Sequence, residues 1–369
     1  MSMRSFLKNL FLTLAIFVGI FLLWYFRSIV MFVAVAAIIS LITRPLFELY
    51  HSLHIRRLRI GRSLAALLTV LTLWVFIVMF FRFTVPLIAT EIQFFSSIDI
   101  PVALDKVGRL LSELLAPIRG SEFGQTIMES IEEEFEVALL TLLDFEQVRD
   151  FFASVVEFFG GIFIAAFSIT FITFFFLKEE GLLIGGILVF VPARHEDSIR
   201  HALISIRYLL RRYLVGILIQ TTLMGTIVTS GFSILGIGFS HAAVIGLFSG
   251  LMNIIPYLGP LIGATFGISV GTLVYLQLSM EMTFLSFLGG MILVYVTAQL
   301  VDNMLFQPLI FSNSVKAHPL EIFIVILSAG YLSGIVGMFL AIPVYTILRV
   351  IAREFFNKYE VVMRLTDRM

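Results

Sequence analysis

The chain of 369 residues is 59% hydrophobic and only 14% charged, and its 25 basic and 25 acidic residues balance. Soluble domains carry about a quarter charged residues, and globular cores grow too slowly with chain length to bury this much apolar surface. The composition therefore excludes an ordinary water-soluble protein and predicts a membrane protein whose partner is the lipid bilayer. The balanced charge gives no indication of nucleic acid as a partner, and the absence of cysteine excludes disulfides and thiolate chemistry.

Mainly apolar segments follow one another along the chain, and a helix needs roughly 20 residues to cross about 30 Å of hydrocarbon. The first segment follows Arg4 and Lys8 as a signal peptide would. No small-residue cleavage site follows it, so we interpret it as a membrane helix. The first two segments are short and nearly contiguous, which predicts a tight helical hairpin. The segments are 10–26, 28–43, 64–89, 151–177, 213–235, 241–277, 283–311 and 320–350.

The segment 241–277 is interrupted by the run Pro256-Tyr257-Leu258-Gly259-Pro260. Two prolines and one glycine within five residues cannot continue an ordinary helix. The segment is therefore one broken crossing, two helices or a re-entrant hairpin. Counting it as one crossing gives about eight transmembrane helices and leaves both termini on the same side.

Charged residues predict the orientation, because cytoplasmic loops of membrane proteins are rich in Lys and Arg. Basic residues concentrate in the loop after the second segment, in 178–212 and in the tail. The stretch 91–150 instead carries thirteen acidic and four basic residues, with apolar residues at helical spacing. We therefore place this stretch outside and both termini in the cytoplasm, in the inner membrane of a bacterium.

These patterns predict an all-α polytopic membrane protein with an amphipathic helical subdomain outside the membrane. Its predicted parts are membrane helices 1–3 in 1–90 and an acidic extracytoplasmic helical subdomain in 91–150. The fourth membrane helix and a cytoplasmic amphipathic region follow in 151–212. A C-terminal membrane core with a broken helix covers 213–350, and a basic cytoplasmic tail covers 351–369.

Asp302 is the most specific candidate for a functional residue, because a charge at the membrane centre costs about 2.5–3.5 kcal/mol on insertion scales. Gln299, Asn303 and Gln307 recur at four-residue steps beside it, which predicts a polar stripe on an apolar helix. The stripe forms a transport path or ion site, or it is a hydrogen-bonded seam between helices. Gln220 in the fifth segment could hydrogen-bond to the stripe.

The interrupted segment is the second candidate, because broken membrane helices commonly bind substrates or ions. Asn253, Pro256, Tyr257, Gly259 and Pro260 would contribute to such a site, although a plain tight turn explains the same pattern. A glycine ridge also predicts close helix packing. It comprises Gly259, Gly263, Gly267 and Gly271.

An enzyme is not predicted. The chain has no HExxH motif, no phosphate-binding Gly-Lys loop and no cysteine-based metal site, so we expect no metal, cofactor or catalytic residue. Ser249 and His241 are the nearest approach to a serine hydrolase. They lie just over two helical turns apart, which is too far for one side chain to reach the other along a helix.

The C-terminal half is similar to the autoinducer-2 exporter family of membrane permeases over roughly residues 205–350. The resemblance implies an eight-helix permease, autoinducer-2 export or sodium(lithium)/proton exchange, and homo-oligomers. The matching runs are Asn253 to Pro260, Asp302 to Pro308 and His318-Pro319-Leu320, followed by Gly330, Gly334 to Gly337 and Ala341-Ile342-Pro343.

Three functions stay open from the sequence. A secondary transporter exporting a small polar molecule such as autoinducer-2 would use the amide and hydroxyl groups. A sodium(lithium)/proton antiporter would carry a monovalent cation and use the Asp302 carboxylate. A nontransporting membrane scaffold would bind a partner through the acidic subdomain.

Overall fold

The computed structural model describes residues 24–55, 58–97, 163–278, 282–306 and 318–356, with a few residues between 17 and 22 and between 102 and 109. Most of the first predicted segment, nearly all of the acidic subdomain, Gln307 and most of the basic tail lie outside these residues. The predicted division into five parts therefore stays a prediction.

The described elements are helical except for one short two-stranded antiparallel ribbon. In chain order they are α1 (Arg27–Ser52), β1 (His54–Ile55), β2 (Leu58–Arg59), α2 (Arg62–Ser96), α3 (Phe163–Lys178), α4 (Leu182–Leu188) and a 3-10 turn (Ala193–His195). They continue with α5 (Glu196–Ile234), α6 (Phe239–Met252), α7 (Leu258–Gln277), α8 (Phe284–Val301), a π-helical turn (Asp302–Phe306) and α9 (Pro319–Phe356).

Within the described ranges, six helices are long and apolar enough to cross a bilayer, and two shorter helices, α3 and α6, are also apolar. Large apolar side chains point outward from several of them, including Phe76 and Phe83 at 65% exposure and Phe167 at 75%. Such faces are unfavourable in water but suit hydrocarbon. The predicted all-α polytopic membrane fold is confirmed.

One compact unit comprises residues 1–76 and 158–196, and within it α1 packs along α3. Trp74 Nε1 donates a 3.1 Å hydrogen bond to Thr170 Oγ1. Arg44 lies inside α1 rather than after it: its guanidinium pairs with Glu180 at 2.9 Å and donates to the carbonyl of Leu177. Helix α1 thus continues to Ser52, beyond the predicted segment 28–43, and the charge of Arg44 is paired where it lies.

The second unit comprises residues 77–157 and 197–369. Its core includes Phe232, Ile245, Val274, Phe287 and Met291, which are all fully buried. These side chains come from α5, α6, α7 and α8, so the four helices pack as one bundle.

Helices α6 and α7 lie antiparallel and form what we call the first hairpin. A Cβ atom added at Gly263 would lie 3.1 Å from the Cα atom of Ser249, and one at Gly267 would lie 2.7 Å from Ile245. The partner number falls as the glycine number rises, so the chain reverses at the break. The interpretation of 241–277 as one broken crossing is therefore wrong, and the segment is two helices.

Helix α9 also folds back, and we call it the second hairpin. Ser333 and Gly334 have non-helical backbone angles, and Gly334 has φ +60°. A Cβ atom on Gly337 would overlap the carbonyl oxygen of Ala329, eight residues earlier, although these positions lie about 12 Å apart in a straight helix. Tyr345 donates a hydrogen bond to Glu321 across the two legs. The predicted single segment 320–350 is therefore two antiparallel legs.

Glu91, assigned from the sequence to the acidic subdomain, lies inside α2 and is only 3% exposed. Its Oε2 atom lies 2.7 Å from Nδ1 of His241, in the first turn of α6. The ring of Phe94 stacks obliquely on the same imidazole, with centroids 4.6 Å apart. This contact ties the start of the first hairpin to the end of α2.

Candidate functional site

Asp302 is buried beside the break of the first hairpin. It is 2% exposed and begins the π-helical turn that follows α8. Asn253, which caps the C-terminus of α6, is 4% exposed and holds its Nδ2 atom 3.5 Å from Oδ1 of Asp302. The two strongest sequence candidates, the charged residue and the broken segment, therefore meet in space.

Gln220 of α5 makes the short contact with Asp302. Its Nε2 atom donates a 2.6 Å hydrogen bond to Oδ1 of the carboxylate, and the residue is 4% exposed. The expectation that Gln220 could hydrogen-bond to the polar residues is confirmed. Among the described residues, the other amide atom, Oε1, finds no hydrogen-bond partner. Hydrogen bonds to a buried carboxylate offset part of its desolvation cost.

The predicted polar stripe divides into two groups. Gln299 and Asn303 line a cavity, and Nε2 of Gln299 donates a 3.1 Å hydrogen bond to Oδ1 of Asn303. Asp302 is absent from the cavity lining and faces Gln220 and Asn253 instead. Neighbouring residues on a helix point about 100° apart, so Asp302 cannot share the face of Asn303.

The cavity has a volume of about 520 Å³ and lies among α5, α6, α7, α8 and the break. None of the described residues around it is acidic or basic. An uncharged, partly apolar cavity of this size suits a small organic molecule. Its lining is Met224, Val228, Ser249, Asn253, Tyr257, Pro260, Leu261, Gly263, Ala264, Tyr295, Val296, Ala298, Gln299 and Asn303.

Tyr295 is a cavity residue that the sequence interpretation missed, and Ser249, considered there only as a nucleophile, also lines the cavity. Tyr295 donates a 2.8 Å hydrogen bond to the carbonyl of Gly263, and its hydroxyl lies 2.9 Å from Oγ of Ser249. Tyr295 lies one four-residue step before Gln299. Extending the four-residue spacing toward the N-terminus would therefore have found it.

Backbone groups at the break form hydrogen bonds with one another. The N–H of Leu258 donates to the carbonyl of Pro256 at 2.8 Å, and that of Gly259 donates to Ile255 at 2.9 Å. Tyr257 adopts φ +66°, which L-residues rarely do, and its side chain lines the cavity with Pro260. The break is thus a tight turn and a wall of the cavity at once, so the two sequence alternatives are compatible.

The glycine ridge lies where α7 contacts α6 and α8 in the second unit. Gly259 meets the end of α6, and Gly263 meets Ser249. Gly267 lies under the hydroxyl of Tyr295, and Gly271 lies against Met291, both on α8. A side chain at these positions would collide with neighbouring helices, so the ridge sets how closely α7 approaches α6 and α8.

Comparison with known proteins agrees with this architecture. The AI-2E family transporter model matches residues 10–357. The chain is 30% identical over 218 residues to "Putative transport protein YrrI" of Bacillus subtilis (strain 168), covering 57% of this chain and 58% of YrrI. It is 29% identical over 182 residues to "Putative transport protein YueF" of the same organism, covering 49% of this chain and 46% of YueF. The chain thus spans about half the length of the curated relatives it matches.

The family match covers nearly the whole chain and coincides with an all-helical, multi-pass fold built around two hairpins. The resemblance found in the runs around Pro256 and Asp302 is therefore confirmed. This chain belongs to the AI-2E family of membrane transporters.

Proposed function

We propose that this protein is a secondary transporter that exports a small polar molecule such as autoinducer-2, with the cavity of the second unit as its substrate site. The observation that carries the proposal is the uncharged cavity of about 520 Å³ beside a broken helix. Neutral hydrogen-bonding groups such as Gln299, Asn303 and Tyr257 suit an uncharged polar cargo. The sequence has no phosphate-binding Gly-Lys loop, and the proposal is therefore transport driven by a gradient and not by nucleotide hydrolysis within this chain.

The proposed setting is the bacterial inner membrane, with both termini in the cytoplasm and a homo-oligomer as the working assembly. The basic loop after α1 lies inside, so α2 and α5 both run outward. The first hairpin then enters from the outside, and the second enters from the cytoplasm. Movement of the first hairpin against α8 would separate Asn253 from Asp302 and change which side of the membrane reaches the cavity.

Sodium(lithium)/proton antiport is the second candidate, and a separate observation favours it. The Asp302 carboxylate is 2% exposed, lies outside the cavity lining and is bound by the amides of Gln220 and Asn253. A buried membrane carboxylate of this kind can exchange a proton for a cation. The two candidates therefore use different residues of the same unit.

Purified protein in liposomes distinguishes them. One assay measures efflux of loaded autoinducer-2, and the other follows an internal pH dye under sodium, lithium or potassium gradients. Gln299→Leu changes a residue of the cavity lining, and Asp302→Asn changes a residue outside it. Each variant is therefore the control for the other. Export predicts that Gln299→Leu lowers efflux about tenfold, as expected for losing hydrogen bonds to a cargo. Antiport predicts that Asp302→Asn abolishes proton flux while Gln299→Leu retains it.

Wild-type protein that moves neither autoinducer-2 nor protons under any of these gradients would contradict both candidates. Proton flux that both variants retain would exclude Asp302 as the coupling residue. If transport is absent and deletion of 98–150 abolishes capture of a partner, the scaffold alternative replaces both.

A further inference from the structure

The cavity has two chemically different walls. One wall is polar: Ser249 of α6 and its C-cap Asn253 lie four residues apart, and so do Tyr295 and Gln299 of α8 and Asn303 of the π-helical turn that follows it. Four-residue spacing places side chains on one helix face. Eight residues of helix span about 12 Å, so hydrogen-bonding groups extend over that length of α8 and the turn that follows it.

Most of the apolar lining comes from other helices. Met224 and Val228 of α5 line the cavity one helical turn apart, and Pro260, Leu261 and Ala264 line it from the first turns of α7. These side chains offer no hydrogen-bond donor or acceptor apart from a weak thioether acceptor at Met224. The polar side chains therefore come from α6, the break, α8 and the turn after α8, whereas α5 and α7 contribute only apolar ones; Val296 and Ala298 of α8 add to the apolar part.

This division restricts what the cavity can bind. A polyol with hydroxyl groups on every side would leave those on the apolar wall without partners, which is unfavourable. An ion would find no opposite charge among the described lining residues. A purely apolar molecule would leave the polar wall unpaired. The remaining class is an uncharged molecule with one polar edge and one apolar face.

The Ser249–Tyr295 pair determines which polar group fits at its end of the wall. A tyrosine hydroxyl has a single hydrogen, and Tyr295 gives it to the carbonyl of Gly263 at 2.8 Å. Ser249 then gives its own hydrogen either to Tyr295 across 2.9 Å or to the same carbonyl at 3.4 Å. Both hydroxyl oxygens keep lone pairs but no hydrogen to give, so this end of the cavity accepts hydrogen bonds and needs a donor from the ligand.

We propose that the cavity binds an uncharged amphipathic molecule whose O–H or N–H group donates to the Ser249–Tyr295 pair. Its apolar face lies against α5 and α7. This assignment deepens the proposed function and rests on it only in taking the cavity as the substrate site. It adds two recognition residues, Ser249 and Tyr295, to the proposed substrate site.

Four probes that share one six-membered carbon ring test the proposal. Cyclohexanol has one donor and an apolar face, methoxycyclohexane lacks the donor, myo-inositol carries hydroxyls on every carbon, and cyclohexanecarboxylate is charged. Binding to the full chain in lipid nanodiscs is measured by calorimetry, with empty nanodiscs subtracted. One neutral hydrogen bond changes affinity by about two- to tenfold. We therefore expect cyclohexanol to bind by that factor more tightly than methoxycyclohexane, and to bind more tightly than myo-inositol and the carboxylate.

Variants identify the residues responsible. In Ser249→Ala and in Tyr295→Phe, the ratio of the affinity for cyclohexanol to the affinity for methoxycyclohexane should fall to near one. Tyr275→Phe is the matched control, because that hydroxyl donates to the carbonyl of Met282, and neither residue belongs to the cavity lining. It should retain the wild-type preference. Loss of preference with retained binding of the ether also shows that the variant is folded.

Several results would overturn the proposal. Tighter binding of myo-inositol or of the carboxylate would exclude the amphipathic class, and so would the absence of binding by any probe. A preference that survives in both Ser249→Ala and Tyr295→Phe would exclude the pair as the recognition group. If the binding pattern holds but liposomes show no efflux, the proposed function fails while the assignment of the cavity stands.

Discussion

At the scale of single residues, Asp302 depends on neighbours from other helices. Its carboxylate is 2% exposed and accepts a 2.6 Å hydrogen bond from Gln220. Removing the donor leaves a buried carboxylate with fewer hydrogen bonds, which costs about 1–3 kcal/mol. Gln220, which lies outside both sequence motifs, therefore stabilises the buried Asp302 carboxylate.

We predict that Gln220→Leu lowers the free energy of unfolding by about 1–3 kcal/mol, because it leaves the Asp302 carboxylate short of a partner. Gln277→Leu is the control, since Gln277 is exposed at the end of α7 and its replacement should change stability by about 0.5 kcal/mol or less. Denaturation of both variants in the same detergent measures the difference. Equal stability of the two variants would contradict the assignment of Gln220.

At the scale of helices, α5 and α6 touch through glycine. A Cβ atom added at Gly250 would lie 2.7 Å from the carbonyl oxygen of Thr221 and 3.1 Å from the Cα atom of Gly225. These partners are backbone atoms and cannot rotate away. The close approach holds the first hairpin, which carries Asn253, beside the helix that carries Gln220.

We predict that Gly250→Ala destabilises the protein by about 1–3 kcal/mol, because the helices must separate to admit the methyl group. Gly289→Ala, on α8, has nothing within 4 Å of the added carbon and should be neutral or stabilise by up to about 1 kcal/mol through helix propensity. Thermal unfolding of the two variants side by side is the measurement. Tolerance of Gly250→Ala would mean that α5 and α6 pack less closely than described.

At the scale of the whole molecule, the two hairpins decide how the chain threads the membrane. Each hairpin returns the chain to the side from which it entered, so neither changes the side on which the termini lie. The absence of cysteine makes this testable, because any introduced thiol is the only one in the chain.

We predict that Phe239→Cys and Leu278→Cys, at the two ends of the first hairpin, react with a membrane-impermeant maleimide from the same side. Phe239 is 69% exposed and Leu278 is 41% exposed. Gly61→Cys and Gly181→Cys, with open space around both positions, should react only from the opposite, cytoplasmic side. Labelling of Phe239→Cys and Leu278→Cys from opposite sides would restore the single broken crossing.

By itself, the sequence determined the membrane fold, the family and the place where the first hairpin breaks. The length of an apolar segment indicates whether it can cross a bilayer, and two prolines and a glycine within five residues favour a break in a helix. It also predicted Asp302, Asn253 and Gln299 as candidate site residues, because polar groups are rare in apolar segments. These are local properties, which do not depend on what packs against them.

Only the tertiary structure decided how these residues combine. The antiparallel turn at Tyr257, the fold-back at Gly334 and the separation of Asp302 from the cavity depend on contacts between distant parts of the chain. The burial of Glu91 against His241, 150 residues away, could not be read from an acidic stretch. Sequence spacing defines the faces of one helix, but which face meets which neighbour is set by packing across helices.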